Sequence, residues 1–290
     1  MGSMSYQIGV MQGRLLPKYR GRYQAHPLGY WEKEFPIAAE LGIDLIEFIL
    51  DFNDFIENPL MNDQGLRTIQ ALSGQTGVTV RTVCADYFME APLHSPSDIT
   101  AKESLEVLIK LVHNASILQI LDVVVPCVDQ SSLLAEDAWS RFVLNIRPAL
   151  MVAEDVGVGI CLETDLPPEP FKALIDELDS SAIRVNYDTG NSAALGYDPQ
   201  EEFSMYGDLI TDVHIKDRTR GGGSVELGTG DTEFDKFFAS LASVDYKGPF
   251  IMQAYRDDEG IEVFKRQLTW FKRRLDQWVQ EKGRSTGGDR

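Results

Sequence analysis

The sequence predicts a single-domain α/β protein, a (β/α)8 barrel, from three observations. Short apolar runs rich in β-branched residues alternate with longer helical patterns along the 290 residues, as expected for βαβ units around a parallel sheet. There are eight such runs, and eight parallel strands close a barrel of this type. The segments after the runs are longer and richer in polar residues than those before them, which marks that end of the barrel as the functional face.

The apolar runs predict eight strands. They cover residues 6–11, 44–50, 78–85, 120–127, 156–163, 183–188, 210–215 and 249–253. Helical patterns between them cover residues 31–41, 66–76, 101–118, 133–156, 171–178, 199–205, 234–242 and 259–278. Gly42, Gly77 and Gly157 each follow a helical pattern and lead into the next strand, the place where glycine favours a left-handed helix end. The long segments on the opposite face are 12–30, 86–100, 164–170 and 216–231.

The two ends of the chain differ in composition from the barrel. Residues 1–4 have the sequence expected of a cloning scar, and residues 281–290 end in a polar, glycine-containing stretch that predicts a disordered tail. We therefore expect the barrel to occupy residues 5–280.

Composition excludes several classes of function. The 27 Lys and Arg against 45 Asp and Glu give a formal charge of −18, which repels a phosphate backbone and argues against nucleic acid as a partner. No apolar stretch approaches the roughly 20 residues that span a bilayer, so no membrane contact is expected. The three cysteines lie inside apolar runs without short spacing, which favours buried thiols in a reducing, cytoplasmic setting.

Four successive strands, the fifth to the eighth, end in a side chain able to bind a metal. These are Glu163, Asp188, His214 and Gln253. Because each closes its strand at the same level of a cylinder, all four can point at one spot near the axis. Two carboxylates, an imidazole and an amide without thiolates suit one divalent ion, with Mn²⁺, Mg²⁺ or Co²⁺ favoured and Zn²⁺ compatible.

The chain resembles the sugar phosphate isomerase/epimerase family of xylose isomerase-like TIM barrels over nearly its whole length. The segments that carry the resemblance are 8–14 (IGVMQGR), 42–47 (GIDLIE), 162–163 (LE), 188–191 (DTGN), 213–217 (VHIKD) and 227–231 (LGTGD). In the ketose epimerases of this family the metal shell is Glu, Asp, His, Glu, and the two Glu residues also serve as bases. Glu163, Asp188 and His214 match that pattern, whereas Gln253 does not, because an amide can coordinate a metal but cannot take a proton from carbon.

The resemblance also implies residues that bind substrate. Glu169 lies six residues after the first ligand, where it would act as a second acid or, alternatively, begin a helix as an exposed acid. Asn191 occupies a position where the epimerases have His, and Arg218 or Arg220 corresponds to an Arg that follows the third ligand.

Further polar residues follow the strand ends. Lys216, Arg218 and Arg220 stand beside the glycine run 221–223, after strand seven, where barrels often hold phosphate; the alternative is a solvated loop. Arg14 and Arg256, after strands one and eight, are expected to add to such a site. Glu47 and Asp86, at the ends of strands two and three, are expected to line the pocket.

These residues lead to one hypothesis with open alternatives. Glu163 removes the proton next to the carbonyl of a ketose or ketose phosphate, and the enediolate is reprotonated to give an isomer or an epimer. Elimination of a β-hydroxyl, as in the inosose dehydratases, and a barrel that binds sugar without turnover are the alternatives. An endonuclease IV-type phosphodiesterase is disfavoured, because it needs several more metal-binding His than the four in this chain. The resemblance is compatible with a homodimer.

Overall fold

Eight parallel strands form a closed barrel, which confirms the predicted fold class. The computed structural model describes residues 6–256 and 260–285. In chain order the strands are β1 Ile8–Met11, β2 Leu45–Ile49, β3 Thr82–Cys84, β4 Asp122–Cys127, β5 Gly159–Thr164, β6 Ile183–Asp188, β7 Ile210–Ile215 and β8 Phe250–Met252. Each strand pairs with its neighbours in sequence, and β1 closes the ring against β8. A two-stranded hairpin of Asp217–Arg218 and Ser224–Val225 lies outside the ring.

Helices follow the strands around the barrel. They are α1 Glu34–Glu40, α2 Asp63–Thr76, α3 Tyr87–Glu90, α4 Asp98–Ile117, α5 Glu136–Val156, α6 Pro168–Leu178, α7 Thr189–Leu195, α8 Pro199–Tyr206, α9 Phe234–Ser243 and α10 Ile261–Ser285. None of the described helices combines the length and the apolar character needed to cross a membrane.

The predicted element bounds differ from the observed ones mainly at their edges. Strands 183–188 and 210–215 are predicted to the residue, whereas the third strand is only Thr82–Cys84 instead of 78–85. The short helices α3 and α7 were not predicted, because four and seven residues carry too little periodicity to be recognised. Helix α10 continues to Ser285, past residue 280 where the tail was expected. Residues 1–5, 257–259 and 286–290 lie outside the described part of the chain.

Two helix ends show why glycine precedes a strand. Gly77 and Gly157 adopt φ values of 76° and 73° at the ends of α2 and α5, a left-handed conformation that costs other residues a Cβ clash. Each donates its backbone N–H to the last helical turn. After α5 the next strand begins at Gly159, which keeps this face of the barrel short there.

Alternation along the strands divides the core into two layers. One layer fills the barrel interior with seven buried side chains: Met11, Leu45, Ile49, Cys84, Val124, Cys161 and Ile251. The residues between them on the same strands, such as Val10, Ile46 and Val123, belong to the larger core between barrel and helices. Because side chains alternate with a period of two, every second residue toward the strand end must also face the axis.

The turn after β6 is held by a buried carboxyl group. Glu202 of α8 is 4% exposed and accepts hydrogen bonds from the hydroxyls of Tyr187, Ser192 and Tyr206. Tyr187 lies on β6 and Ser192 on α7, so Glu202 joins three consecutive elements beside the strand end. Burial raises the pKa of Glu202 to about 7, although the three hydroxyl donors oppose that rise.

We expect this carboxyl to make stability depend on pH. Its pKa rises from 4.5 in the unfolded chain to about 7 in the fold, so the folded state holds the proton more tightly. The stabilisation is complete below pH 4.5 and is lost as the pH rises through 7, by up to about 3 kcal/mol. Between pH 5 and 8, the free energy of unfolding of wild type, measured with denaturant, should fall relative to that of Glu202→Gln, whose amide does not titrate. Parallel curves would contradict this assignment.

Candidate functional site

The inward-facing residues at four neighbouring strand ends converge at the mouth of the barrel. Glu163 lies on β5 beside the inward Cys161, and Asp188 and His214 lie on β6 and β7. Asp188 and His214 are direct partners in the parallel pairing of those strands. Gln253 follows β8, where its backbone N–H bonds Ile215 O of β7 at 3.1 Å. Strand register therefore sets the levels of these side chains.

The carboxylates and the imidazole are close enough to share one ligand. One oxygen of Glu163, one oxygen of Asp188 and a ring nitrogen of His214 lie within 4.8 Å of one another. His214 Nδ1 is 4.0 Å from Glu163 Oε2 and 3.9 Å from Asp188 Oδ2. All three side chains are buried. These separations are too long for hydrogen bonds between the three side chains and suit a cation placed among them.

Two unpartnered atoms fit such a cation. His214 Nδ1 and Gln253 Oε1 are buried and have no hydrogen-bond partner among the described residues, a costly condition for polar atoms. The Gln253 amide nitrogen donates to Gln24 Oε1 at 3.0 Å, which leaves its oxygen free. Oxygen and imidazole donors without thiolate suit Mg²⁺, Mn²⁺ or Co²⁺ better than structural zinc.

Asn191 fixes one oxygen of Glu163. Its amide nitrogen donates to Glu163 Oε1 at 2.7 Å, while its amide oxygen accepts from Arg218 at 2.8 Å and from Lys216 at 3.3 Å. Because both cations can only donate, they determine which end of the Asn191 amide faces Glu163. Lys216 Nζ also lies 3.4 Å from Asp188 Oδ2. Lys216 and Arg218, which were predicted to bind substrate, therefore help to hold Glu163, through Asn191, in its position. Lys216 also offsets the charge of Asp188.

A carboxylate inside the barrel orients the imidazole. Glu47 Oε1 lies 2.8 Å from His214 Nε2, and both side chains are 0% exposed. A proton on Nε2 bonded to Glu47 leaves Nδ1 with its lone pair toward Glu163 and Asp188. Glu47 also contacts the carboxyl of Asp212, whose pKa is raised well above its usual range by burial first and by the Glu47 charge second. The structure thus places Glu47 beneath the site and not on the pocket wall.

The loop after β7 is organised by Asp217. This buried carboxylate accepts the backbone N–H groups of Gly228, Gly230 and Thr232 at 2.9 to 3.1 Å. The glycine run 221–223 closes the hairpin, with Gly222 O accepting from the Arg218 guanidinium. Arg220 is exposed and its guanidinium packs on Gly196. The three cations expected to hold phosphate are therefore not gathered into one site.

The opposite side of the mouth carries a second polar group, centred on Gln24. Gln24 accepts from Gln253 and, at 3.2 Å, from Arg14 NH2, and its own amide nitrogen donates to Asp86 Oδ2 at 3.1 Å. Arg14 is buried, and burial lowers the pKa of its guanidinium to about 10. Arg256 donates to Arg14 O and stacks over the Tyr23 ring at 4.5 Å. The structure thus joins Arg14, Asp86 and Gln253 in one network and leaves Arg256 at its edge.

Sequence reasoning missed two of these residues and could have found one. Asp212 lies two residues before His214 on the same strand, so alternation alone places both inside the barrel. Gln24 lies in a long loop whose course no periodicity defines. Glu169, the expected second acid, is exposed in the first turn of α6 and makes no hydrogen bond or ion pair among the residues the structure describes.

The environment of Glu163 favours a proton-transfer role. Burial raises the pKa of its carboxyl, the charge of His214 opposes that rise, and the neighbouring Asp188 adds to it. A buried carboxyl group whose pKa is shifted by specific charged neighbours is a candidate for a general base.

The family follows from these features and from a family-model match. Residues 35–274 match the model described as xylose isomerase-like TIM barrel. Because this match spans most of the chain, the protein belongs to the xylose isomerase-like TIM-barrel family, as its resemblance indicated.

Curated relatives are epimerases. An L-ribulose-5-phosphate 3-epimerase, UlaE, of Salmonella heidelberg (strain SL476) is 27% identical over 271 residues, covering 86% of this chain and 95% of that protein. UlaE of Escherichia coli (strain SMS-3-5 / SECEC) is also 27% identical over the same shares. The chain therefore spans nearly the whole length of these relatives.

Solved structures share the fold at low sequence identity. An L-ribulose 3-epimerase has a TM-score of 0.74 at 16% identity, covering 99% of this chain and 100% of that one. A xylose isomerase-like TIM barrel protein from Mycobacterium smegmatis in complex with magnesium has a TM-score of 0.71 at 18% identity, covering 96% and 100%. At these identities the likeness concerns the fold.

We expect Glu47→Gln to weaken binding of Mn²⁺ about 10- to 100-fold, the usual effect of losing a carboxylate behind a histidine ligand. The amide still accepts the Nε2 proton but no longer makes the imidazole more basic. Isothermal titration with MnCl₂ measures the change. The matched control is Glu90→Gln, an exposed acid on α3, which should bind as wild type; an unchanged Kd in Glu47→Gln would show that the contact is only structural.

Proposed function

We propose that this protein is a divalent-metal-dependent isomerase or epimerase of a ketose or ketose phosphate, with Glu163 as the base. The observation that carries the proposal is the position of Glu163. Its Oε1 is held by Asn191, while Oε2 faces His214 and Asp188. A carboxylate with one oxygen restrained and one directed into the mouth is suited to remove a proton from a carbon placed there.

Glu163, Asp188, His214 and Gln253 would hold the metal. A bound divalent ion supplies polarisation of the substrate carbonyl and of the adjacent hydroxyl. The protein residues orient the acceptor: Asn191 restrains the Glu163 carboxylate, and Lys216 offsets the charge of Asp188. Glu163 then takes the proton next to the carbonyl, and an enediolate forms.

A small sugar substrate is supported by the relatives. The curated relatives at 27% identity act, by name, on L-ribulose 5-phosphate, so a ketose phosphate is the first substrate class to test. Of the cations expected to bind the phosphate, Lys216 and Arg218 bond Asn191, whereas Arg220 is exposed. Arg14 and Arg256, on the other side of the mouth, also bond within the protein and are further candidates for anion recognition; Glu169 is a candidate to contact a substrate hydroxyl.

A second candidate, a barrel that binds sugar without turnover, is favoured only by Gln253. This amide stands where the family's ketose epimerases have a base, and it cannot accept a proton from carbon. The alternative predicts metal-dependent sugar binding with no exchange of carbon-bound hydrogen.

We expect Glu163→Gln to abolish metal-dependent exchange of the proton next to the carbonyl, because the amide no longer accepts it. Proton NMR in D₂O measures the exchange for L-ribulose 5-phosphate, L-ribulose, D-psicose and inososes. EDTA should stop the exchange in wild type by removing the ion.

The matched control is Glu106→Gln, an exposed acid on α4, which should exchange as wild type. Circular dichroism and thermal unfolding of Glu163→Gln should match those of wild type, which tests that the variant keeps the fold. Exchange that persists in Glu163→Gln would refute the base assignment. Binding without exchange in wild type would favour the non-catalytic barrel.

A further inference from the structure

Glu163 can serve only one face of a substrate carbon. Inversion at that carbon needs a second group that returns the proton from the opposite face. Gln253 occupies the strand end where the family's epimerases have that group. An amide can neither give a proton to carbon nor take one from it. Inversion by this chain therefore requires a carboxyl group that faces the site from another direction.

Asp86 occupies the opposite wall of the barrel mouth. It lies two residues after Cys84, the last residue of β3, and in the ring of eight strands β3 lies across from β7, which carries His214. The four residues that would hold the metal come from β5 to β8. A substrate whose oxygens face that half presents its other side to the half that carries Asp86.

Two hydrogen bonds connect Asp86 with Gln253, whose side chain cannot act as an acid. Gln253 donates to Gln24 at 3.0 Å, and Gln24 donates to Asp86 Oδ2 at 3.1 Å. Gln24 is therefore a bridge between the amide at the end of β8 and the carboxylate at the end of β3. Cys84, a buried thiol, lies 3.1 Å from Asp86 Oδ1. Both oxygens are restrained, so the carboxylate is held in a defined orientation.

Asp86 differs from the other carboxylates of the site in its exposure. Glu47 is 0% exposed and engaged with His214, and Glu163 and Asp188 are 6% and 4% exposed. Asp86 is half-buried. Its exposure lets Asp86 exchange a proton directly with water.

We propose that Asp86 is the second proton-transfer residue, which takes the place of the missing base at position 253 and makes the reaction an epimerisation. The inference rests on the proposed function. In one direction Glu163 removes the carbon-bound proton and the electron pair enters the enediolate. Asp86, as the carboxylic acid, gives its proton to the same carbon from the other face. Both groups then exchange protons with water, and in the reverse direction their roles are swapped.

The test compares two rates in the same variants. For whichever of L-ribulose 5-phosphate, L-ribulose and D-psicose exchanges in wild type, NMR in D₂O measures the loss of the carbon-bound proton and the appearance of the epimer. Asp86→Asn should keep the Glu163-dependent exchange and its KM, while epimer formation falls by at least about 100-fold. Glu90→Gln, the exposed acid on α3, should change neither rate.

A second carboxylate supplied elsewhere should restore the product. Adding Gln253→Glu to Asp86→Asn places a base at the end of β8, and we expect epimer formation to recover. A purely structural role for Asp86 would not be rescued from position 253.

The outcomes separate the two proposals. If wild type exchanges no proton with any of the three sugars, the proposed function fails and this inference fails with it. If wild type exchanges and Asp86→Asn still forms epimer at the wild-type rate, only this inference is overturned. The same holds if Glu169→Gln, and not Asp86→Asn, stops epimer formation, or if Asp86→Asn raises KM alone.

Discussion

The contact between Glu47 and His214 is the interaction on which the site depends. A buried imidazole can serve a cation from one nitrogen only when the other is satisfied, and Glu47 satisfies Nε2 from within the barrel. The unpartnered Nδ1 then lies beside two carboxylates. Because Glu47 lies on β2 and His214 on β7, this single contact crosses the interior and requires the closed ring. Barrel closure and ligand orientation are thus one physical requirement.

Strand periodicity accounts for what the sequence could predict of the site. Glu163, Asp188 and His214 end buried strands, and alternation gives each the same inward direction; the structure brings them together. Alternation says nothing about depth, so Glu47 was expected on the pocket wall although it lies below it. Loop residues follow no period, which is why Gln24 was missed and why Arg220 was expected near the site although it packs against Gly196.

Gln253 changes the chemistry of one strand end without changing the scaffold. An amide and a carboxylate have nearly the same shape, so the barrel accommodates either at the end of β8. The amide keeps an oxygen that can coordinate a metal and adds an N–H group, which here donates to Gln24. Through that N–H, position 253 is linked to the residues after β1 and β3. A carboxylate has no N–H to donate to Gln24.

The two halves of the barrel contribute different groups to the mouth. The residues suited to hold the ion come from the second half of the chain, β5 to β8, whereas Arg14, Gln24 and Asp86 come from the first half. At the mouth, the side-chain contacts that join the two halves include Glu47 with His214 and Gln24 with Gln253. Substitutions in the first-half loops that keep these two contacts would therefore change the wall of the mouth opposite Glu163, Asp188 and His214 and leave the positions of those three side chains unchanged.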